Sequence, residues 1–224
     1  MRRFLLWDLG FLDYEKAHRI QLQVHRGRVK GGCPDTLLLV EHPPVITLGK
    51  RGTLDNLLVS VAELRARGIG LHRVERGGDI TYHGPGQLVG YPIFSIKGGL
   101  SGVRPFIRRL EQALIFALGG LGIKAEQRQD CTGVWVGDKK IAAIGVAVKR
   151  WVTFHGFALN VSADLTAFQL INPCGTGKEV TSTERVLGRE VAFDEVKDLV
   201  RHGFEAIFNV RLVDERLKIE ASLA

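Results

Sequence analysis

Three short segments of this chain contain residue types that could do chemistry, and one of them holds a cysteine in an unusual context. Cys174 lies in INPCGTGKEVTS, residues 171–182, between a proline and a glycine. A buried structural cysteine normally lies in an apolar strand or helix, so this one is expected to be exposed or strained. Cys33 lies in a loop without companion groups, and Cys131 lies beside a strand start. Cys174 is therefore the best candidate for a nucleophile, with an incidental loop thiol as the alternative.

The second segment, RGGDITYHGPGQ, is rich in glycine and spans residues 76–87. Such a segment exposes backbone N–H groups and lets a ligand approach the main chain. It has neither the GK[ST] ending of a P-loop nor the GxGxxG of a dinucleotide site. A plain glycine-rich turn is the alternative, but the presence of Arg76, Thr81, Tyr82 and His83 favours a binding site. His83 could act as a general base, although a structural histidine is the default interpretation.

The third segment is KKIAAIGVAV, residues 139–148, in which two lysines precede an apolar strand. Adjacent side chains of a strand point to opposite faces, so at most one of Lys139 and Lys140 can face a site. Two solvated lysines at a strand start are the alternative. Gly145 leaves space in the strand for a slender apolar chain or for a backbone contact.

The elements that must position these segments alternate irregularly between strand and helix. Helical spacing and capping signals predict helices over 13–29, from Ser60 to Gly68, 103–118 and 194–208. Apolar runs predict strands over 4–9, 36–40, 45–49, 71–75, 87–94, 133–137, 141–148 and 153–161. Without a repeat or a linker, the pattern predicts a single α+β domain over 1–224, with a mixed, largely antiparallel sheet and packed helices.

The composition excludes several classes of protein. Apolar residues make up 45% and charged residues 25% of the 224, as in ordinary globular proteins. The apolar start, MRRFLLWDLGFLDY, is short and interrupted by acidic residues, so we expect no signal peptide, no membrane span and a cytoplasmic location. Three cysteines without a CxxC predict neither disulfides nor a structural zinc site.

The net charge of +7 favours acidic partners without identifying them. The basic residues are scattered, with no long basic run and no aromatic ladder beside them. A solvated basic face is therefore at least as good an interpretation as a nucleic-acid site.

Taken together, the segments resemble the lipoyl/octanoyl transferase family, also called lipoate-protein ligase B. The resemblance covers about residues 1–210, with its motifs in the family's order. The matching motifs are EHPPVITLGKRG (41–52), RGGDITYHGPGQLVGYPI (from 76), GVWVGDKKIAAIGV (133–146), HGFALNV (155–161) and INPCG (171–175).

The resemblance implies a fold similar to the catalytic domain of biotin and lipoate ligases. It implies transfer of octanoyl, or lipoyl, from acyl carrier protein to a lysine of lipoyl domains, those of 2-oxoacid dehydrogenases and of the glycine cleavage H protein. It implies no cofactor, no metal, no nucleic acid and no membrane. The family's nucleophile falls on Cys174 and its catalytic lysine on Lys140. Its acyl-binding stretches fall on Arg76, Gly77, Gly78, Asp79, Ile80, Thr81, Tyr82 and His83; on Ala143, Ile144 and Gly145; and on Gly156, Phe157 and Ala158.

These residue types suit the conversion of a thioester into an amide. A thiolate exchanges readily with a thioester, and a lysine ammonium beside a thiol favours the thiolate. The same lysine could handle the protons of the leaving thiol and of the incoming amine. The acyl carrier protein and lipoyl domains are typically acidic, so the positive charge could steer both partners.

Three alternatives remain at this point. An ATP-dependent lipoate or biotin protein ligase on the same fold would not need Cys174. A cysteine amidotransferase that moves acyl groups between proteins fits the glycine-rich segment less well. A nucleic-acid-binding module fits the charge and leaves the cysteine and glycine motifs unexplained.

Overall fold

A computed structural model describes residues 1–97, 102–172 and 179–215, and its main feature is a large mixed sheet. The strands are β1 (Arg2–Phe11), β2 (Thr36–Glu41), β3 (Val45–Leu48), β4 (Gly70–Arg73), β5 (Ile80–His83), β6 (Gln87–Ile93), β7 (Glu126–Gln127), β8 (Val134–Val136), β9 (Lys139–Lys149), β10 (Val152–Asn160) and β11 (Val210–Asp214). The helices are α1 (Tyr14–Val29), α2 (Val61–Ala66), α3 (Val103–Gly120), α4 (Thr183–Leu187) and α5 (Phe193–Phe208), with 3-10 turns at Leu54–Asn56 and Leu165–Leu170.

The large sheet has the order β11-β1-β2-β6-β10-β9-β8-β7. β11, β1 and β2 run parallel, and every later pair from β2 to β7 is antiparallel. The prediction of a mixed, largely antiparallel sheet with packed helices is therefore confirmed. β6 and β10 are buried at every position because both faces of the sheet are covered.

The side chains of β2 alternate between the two faces of the large sheet, and their contacts show how each face is covered. Leu37 and Leu39 pack with apolar side chains of α3 and α5, whereas Leu38 and Val40 pack with Ala17 and other residues of α1. Successive side chains of a strand point to opposite faces, so one apolar run serves two cores. The helices predicted over 13–29, 103–118 and 194–208 are thus present, and each packs its apolar face against one side of the large sheet.

A smaller sheet of order β4-β3-β5 packs against α2 and the 3-10 turn at Leu165–Leu170. No strand was predicted between residues 75 and 87, and this is corrected by β5, which pairs antiparallel with β3. Ile80 and Tyr82 are buried in the core of this sheet while Thr81 between them is partly exposed. The alternation of apolar and polar side chains that is typical of a strand was present in the sequence, but the surrounding glycines obscured it.

Further elements differ from the predictions, and β7 and α4 had no predicted counterpart. The helix predicted to end before Gly119 continues through Gly120, where a Cβ would lie 2.5 Å from Leu199 Cδ2, so glycine lets the last turn of α3 pack closely against α5. β11 had no predicted counterpart, since its five residues acquire strand geometry only by pairing with β1. Among the described helices, none has the length and apolarity needed to cross a bilayer. A single domain over 1–224 stays a prediction.

Candidate active site

Arg76 connects the start of the glycine-rich segment to β3 through hydrogen bonds. It is buried, and its Nε and Nη2 donate to Thr47 Oγ1 at 3.1 and 2.9 Å. Nη2 also donates to the Thr47 carbonyl at 2.7 Å, and Nη1 donates to the Gly77 carbonyl at 3.2 Å. These acceptors are neutral, and together they hold the Arg76 guanidinium in a fixed position in the site.

Glycine allows the segment to lie directly against β9. The Gly77 N–H donates to the Val146 carbonyl at 2.9 Å. A Cβ on Gly145 would lie 2.8 Å from the Gly77 carbonyl oxygen, closer than side chains tolerate. Gly145 is opposite Gly156 of β10, where a Cβ would overlap the carbonyl of Gly90. The structure thus brings Arg76, Gly77, Gly145 and Gly156 together. The backbones can approach this closely because the glycines have no side chains.

A short part of β9 next to this contact is accessible. Residues 143–145 are partly exposed, whereas residues 141–142 and 146–147 on either side are buried. Ala143 and Gly145 are small, and this partly exposed stretch, residues 143–145, is called the slot below. This is the stretch that the sequence predicted to contact an acyl chain.

The residues paired with this stretch divide between the two faces of the sheet. Ala143 is opposite Ala158, which packs in the core under α1. Ile144 is opposite Phe157, whose ring packs 5.8 Å from that of Phe204 of α5. The structure therefore does not bring the Phe157 side chain to Arg76, and Phe157 can serve the slot only through its backbone.

Asp79 and Gly78 join the glycine-rich segment to the chain after β3. The Gly49 N–H donates to the Asp79 carbonyl at 2.9 Å, and the Arg51 N–H donates to the Gly78 carbonyl at 3.1 Å. Asn56 Nδ2 donates to Asp79 Oδ2 at 2.7 Å. Asp79 therefore acts as a positioning residue in this structure.

His83 lies inside a buried polar network rather than at a surface. Its Nδ1 is 2.7 Å from Gln87 Oε1, and Gln87 Nε2 donates to Asn160 Oδ1 at 2.8 Å. Asn160 Nδ2 then donates to the Thr181 carbonyl at 2.9 Å. Burial, aided by the neighbouring His42, lowers the pKa of His83 to about 3 and keeps the ring neutral at pH 7. The network links the end of β5 to the segment that follows the cysteine motif.

Lys140 is held beside that same segment. Its backbone N–H donates to the Glu179 carbonyl and its carbonyl accepts from the Thr181 N–H, both at 2.9 Å. Its Nζ lies 4.9 Å above the ring of Trp135, a cation–π contact. A Cβ on Gly133 would lie 3.2 Å from Lys140 Cε, so glycine there makes room for the lysine stem.

Cys174 itself lies outside the described residues, which stop at Asn172 and resume at Glu179. The Asn172 N–H donates to the Asn56 carbonyl at 2.8 Å, so the chain before the cysteine leaves from the neighbourhood of Asp79. The chain after it returns beside Lys140. Both flanks of the cysteine motif are thereby tied to elements that carry predicted site residues.

A cleft of about 970 Å³ adjoins both flanks. Among its lining residues are Leu58, Phe168, Asn172, Lys139 and Glu179, while the Arg76–His83 stretch is not among them. Lys139 Nζ lies 2.6 Å from Glu179 Oε2 at this rim, an exposed ion pair. The cleft and the slot on β9 are therefore separate features of the surface.

Sequence reasoning missed the positioning residues Thr47, Gln87 and Asn160. Asn160 had a visible signal, because it is a polar residue at the end of the apolar run HGFALNV. Gln87 also opens an otherwise apolar strand. Thr47 had none, since a threonine in a strand is unremarkable by itself.

Comparison with known proteins identifies a matching family and relatives of this chain. The family described as the lipoyl protein ligase A/B catalytic domain matches residues 13–205. A protein of Solibacter usitatus named octanoyltransferase is 50% identical over 213 residues, covering 95% of this chain and 96% of that protein.

Two solved structures show the fold. The bipartite lipoate protein ligase of Thermoplasma acidophilum superposes with a TM-score of 0.78 at 19% identity, covering 96% of this chain and 87% of that one. The biotin protein ligase of Aquifex aeolicus superposes with a TM-score of 0.52 at 14% identity, covering 93% and 70%. The predicted similarity to the biotin and lipoate ligase fold is confirmed.

Proposed function

The chain belongs to the lipoyl protein ligase A/B catalytic domain family, and we propose that it is an octanoyltransferase that forms an acyl-thioester on Cys174. The donor in this proposal is octanoyl-acyl carrier protein. The acceptors are lysines of lipoyl domains, those of 2-oxoacid dehydrogenases and of the glycine cleavage H protein. The proposal includes a cytoplasmic location, as predicted from the sequence.

The observation that carries the proposal is the pairing of Lys140 with residues 179–181. Two backbone hydrogen bonds fix the chain beside Lys140 only five positions after Cys174. Five residues can span at most about 18 Å. A lysine ammonium and a thiol can therefore meet without any rearrangement of the sheet.

In the first half-reaction, the Cys174 thiolate attacks the carbonyl carbon of the donor thioester. A new carbon–sulfur bond forms, the old one breaks, and the departing thiolate of the donor takes a proton from Lys140. The acyl group is then held on Cys174. No energy source is consumed, because one thioester replaces another.

In the second half-reaction, the amine of the acceptor lysine attacks the carbonyl carbon of the Cys174 thioester. The acceptor ammonium first gives one proton to solvent to become a neutral amine, and this amine loses a second proton, the one that Lys140 takes, as the amide forms. Lys140, neutral after the first half-reaction, is the base that accepts a proton, and the Cys174 thiolate is released. The amide is more stable than the thioester, so the cycle needs neither ATP nor a cofactor.

The slot at residues 143–145 is proposed to hold the acyl chain. It is partly exposed, lined by small residues, and bounded by Arg76 and Gly77. Ala143 lies three residues from Lys140 along β9, a distance of about 10 Å. An acyl chain bound there would have its carboxyl end toward the lysine.

The alternative is an ATP-dependent lipoate or biotin ligase. The structures of such ligases resemble this chain at 19% and 14% identity, which bears on fold alone. The 50% identity to a protein named octanoyltransferase favours the transferase.

The test is the intact mass of the protein after incubation with octanoyl-acyl carrier protein in the absence of ATP. We expect a gain of one octanoyl group in the wild type and no gain in Cys174→Ala. Cys33→Ser and Cys131→Ser are matched controls, because both thiols are partly exposed and free. They should retain the adduct.

An adduct that survives in Cys174→Ala would contradict the proposed nucleophile. Lipoyl-domain product formed only when ATP and free octanoate are supplied would support the ligase. Adduct formation in Lys140→Ala at the wild-type rate would remove the proposed role of that lysine.

A further inference from the structure

Three side chains from three different elements converge outside the residues assigned above. His18 comes from α1, Glu75 follows β4, and His155 lies in β10. Glu75 Oε2 is 3.4 Å from His18 Nε2 and 3.4 Å from His155 Nε2. One ligand atom from each of the three residues lies within 4.8 Å of the other two.

The two separations of 3.4 Å, from Glu75 Oε2 to each histidine nitrogen, match edges of a zinc coordination tetrahedron. Zinc binds histidine nitrogen and carboxylate oxygen at about 2.0–2.2 Å, which puts neighbouring ligand atoms roughly 3.3–3.5 Å apart. Two histidines and one glutamate are also an established ligand set for zinc sites with an open position. We propose that His18, Glu75 and His155 bind a divalent transition metal, with Zn²⁺ as the favoured ion. This departs from the sequence expectation of no metal, which came from the cysteine spacing and from the family resemblance.

A buried nitrogen without a good hydrogen bond supports the proposal. His18 Nε2 is inaccessible to solvent, and among the described residues it makes no hydrogen bond of good geometry, although Glu75 Oε2 lies 3.4 Å away. A buried polar atom without a good hydrogen bond costs free energy of folding, and coordination to a metal ion would remove that cost. His155 is buried as well, while Glu75 is half exposed and leaves a path from solvent.

The backbone at His155 is strained, as is common at functional positions. Its φ is +55°, a left-handed conformation that a residue with a side chain adopts at some cost. Gln21 Oε1 accepts a hydrogen bond from the His155 N–H and helps to hold this conformation. The strain orients the ring toward Glu75 within an otherwise regular strand.

The positive charge of Arg76, which is adjacent to Glu75 in the chain, opposes the binding of a metal ion to the cluster. Its guanidinium donates to Thr47 and to the Gly77 carbonyl, and the Glu75 carboxylate offsets part of the repulsion. Because Glu75 precedes Arg76 and His155 precedes Gly156, a bound metal would tie the glycine-rich segment to α1 and β10.

The test is titration of the chelator-treated full chain with Co²⁺, followed by absorption, and with Zn²⁺, followed by calorimetry. We expect one ion per chain and the intense visible bands of tetrahedral Co²⁺. Glu75→Gln and His18→Gln should weaken binding by more than roughly tenfold, the loss that even outer-shell changes cause. Zn²⁺ should raise the unfolding temperature of the wild type and not that of Glu75→Gln.

The matched controls are His72→Gln and Glu63→Gln, which change the same residue types outside the cluster. His72 stacks on Tyr14 and pairs with Glu15, so it shares the neighbourhood without being a ligand. Both controls should bind as the wild type does. Unchanged affinity in Glu75→Gln, thiolate-type absorption, or no binding in the wild type would overturn the proposal. None of these outcomes depends on octanoyl transfer.

Discussion

At the scale of the residue, Gly145 shows how a missing side chain shapes the site. A Cβ there would lie 2.8 Å from the Gly77 carbonyl oxygen and 3.3 Å from Arg76 Cδ. Gly145→Ala must therefore push the glycine-rich segment away from β9. We expect a loss of about 1–3 kcal/mol in the free energy of unfolding, typical of overpacking, and slower adduct formation. Urea denaturation and intact-mass time courses measure the two effects.

Gly119→Ala is the control for this change. Gly119 lies at the end of α3, and a Cβ there would meet no atom within 4 Å. Alanine favours helix over glycine by up to about 1 kcal/mol, so the control should be neutral or slightly stabilising. Equal stability and equal rates for the two variants would show that the contact between Gly145 and Gly77 is unimportant.

The buried ring of His83 makes stability depend on pH. An unfolded histidine titrates near 6.5, whereas the pKa of folded His83 is about 3. Between these values the unfolded state binds the extra proton, so stability falls as pH falls below about 6.5. His42, with its pKa lowered to about 4 by burial, acts in the same direction.

His83→Gln tests this coupling, since an amide can still pair with Gln87. From pH 6.5 to pH 5, one such histidine destabilises the protein by about 2 kcal/mol. The variant should lose that much less than the wild type in urea titrations at the two pH values. Identical losses would mean that His83 is not buried in its neutral form.

At the scale of the element, the pairing of β9 with the chain at 179–181 couples the lysine to the cysteine motif. Thr181→Pro removes the N–H that donates to the Lys140 carbonyl. We expect adduct formation on Cys174 to slow by roughly tenfold or more, because a small misplacement of reacting groups is costly.

Val180→Pro provides the matched control, since the two bonds to Lys140 use atoms of Glu179 and Thr181. It introduces the same ring one position earlier. Intact-mass time courses should show a smaller effect for Val180→Pro. Equal effects of the two prolines would indicate a general disturbance of the loop and not a specific role for the pairing.

At the scale of the whole molecule, the net charge of +7 should govern encounter with acidic partners. Electrostatic steering raises association rates by about 10–10³ and is screened by salt. We expect kcat/KM with octanoyl-acyl carrier protein to fall roughly tenfold between low and high salt. Octanoyl-pantetheine, an uncharged donor, is the control and should show little salt dependence. A flat profile with the protein donor would rule out steering.

Much of the fold was determined by the sequence, because helix and strand periodicity are local properties. The amphipathic faces of α1, α3 and α5 and the apolar runs of β2, β6 and β10 were legible from spacing alone. The motifs predicted the family, and the match over 13–205 confirms it. The residues singled out for catalysis and binding were likewise chosen from local context and resemblance.

Only the tertiary structure decided which of these residues meet. β5 and β11 are strands because of partners that lie far away in the chain, and no local pattern specifies a partner. The pairing of Lys140 with residues 179–181 depends on strand register, as does the contact of Gly77 with Gly145. The convergence of His18, Glu75 and His155 depends on how α1 packs on the sheet. Spacing along the chain determines elements, whereas long-range hydrogen bonds and packing determine sites.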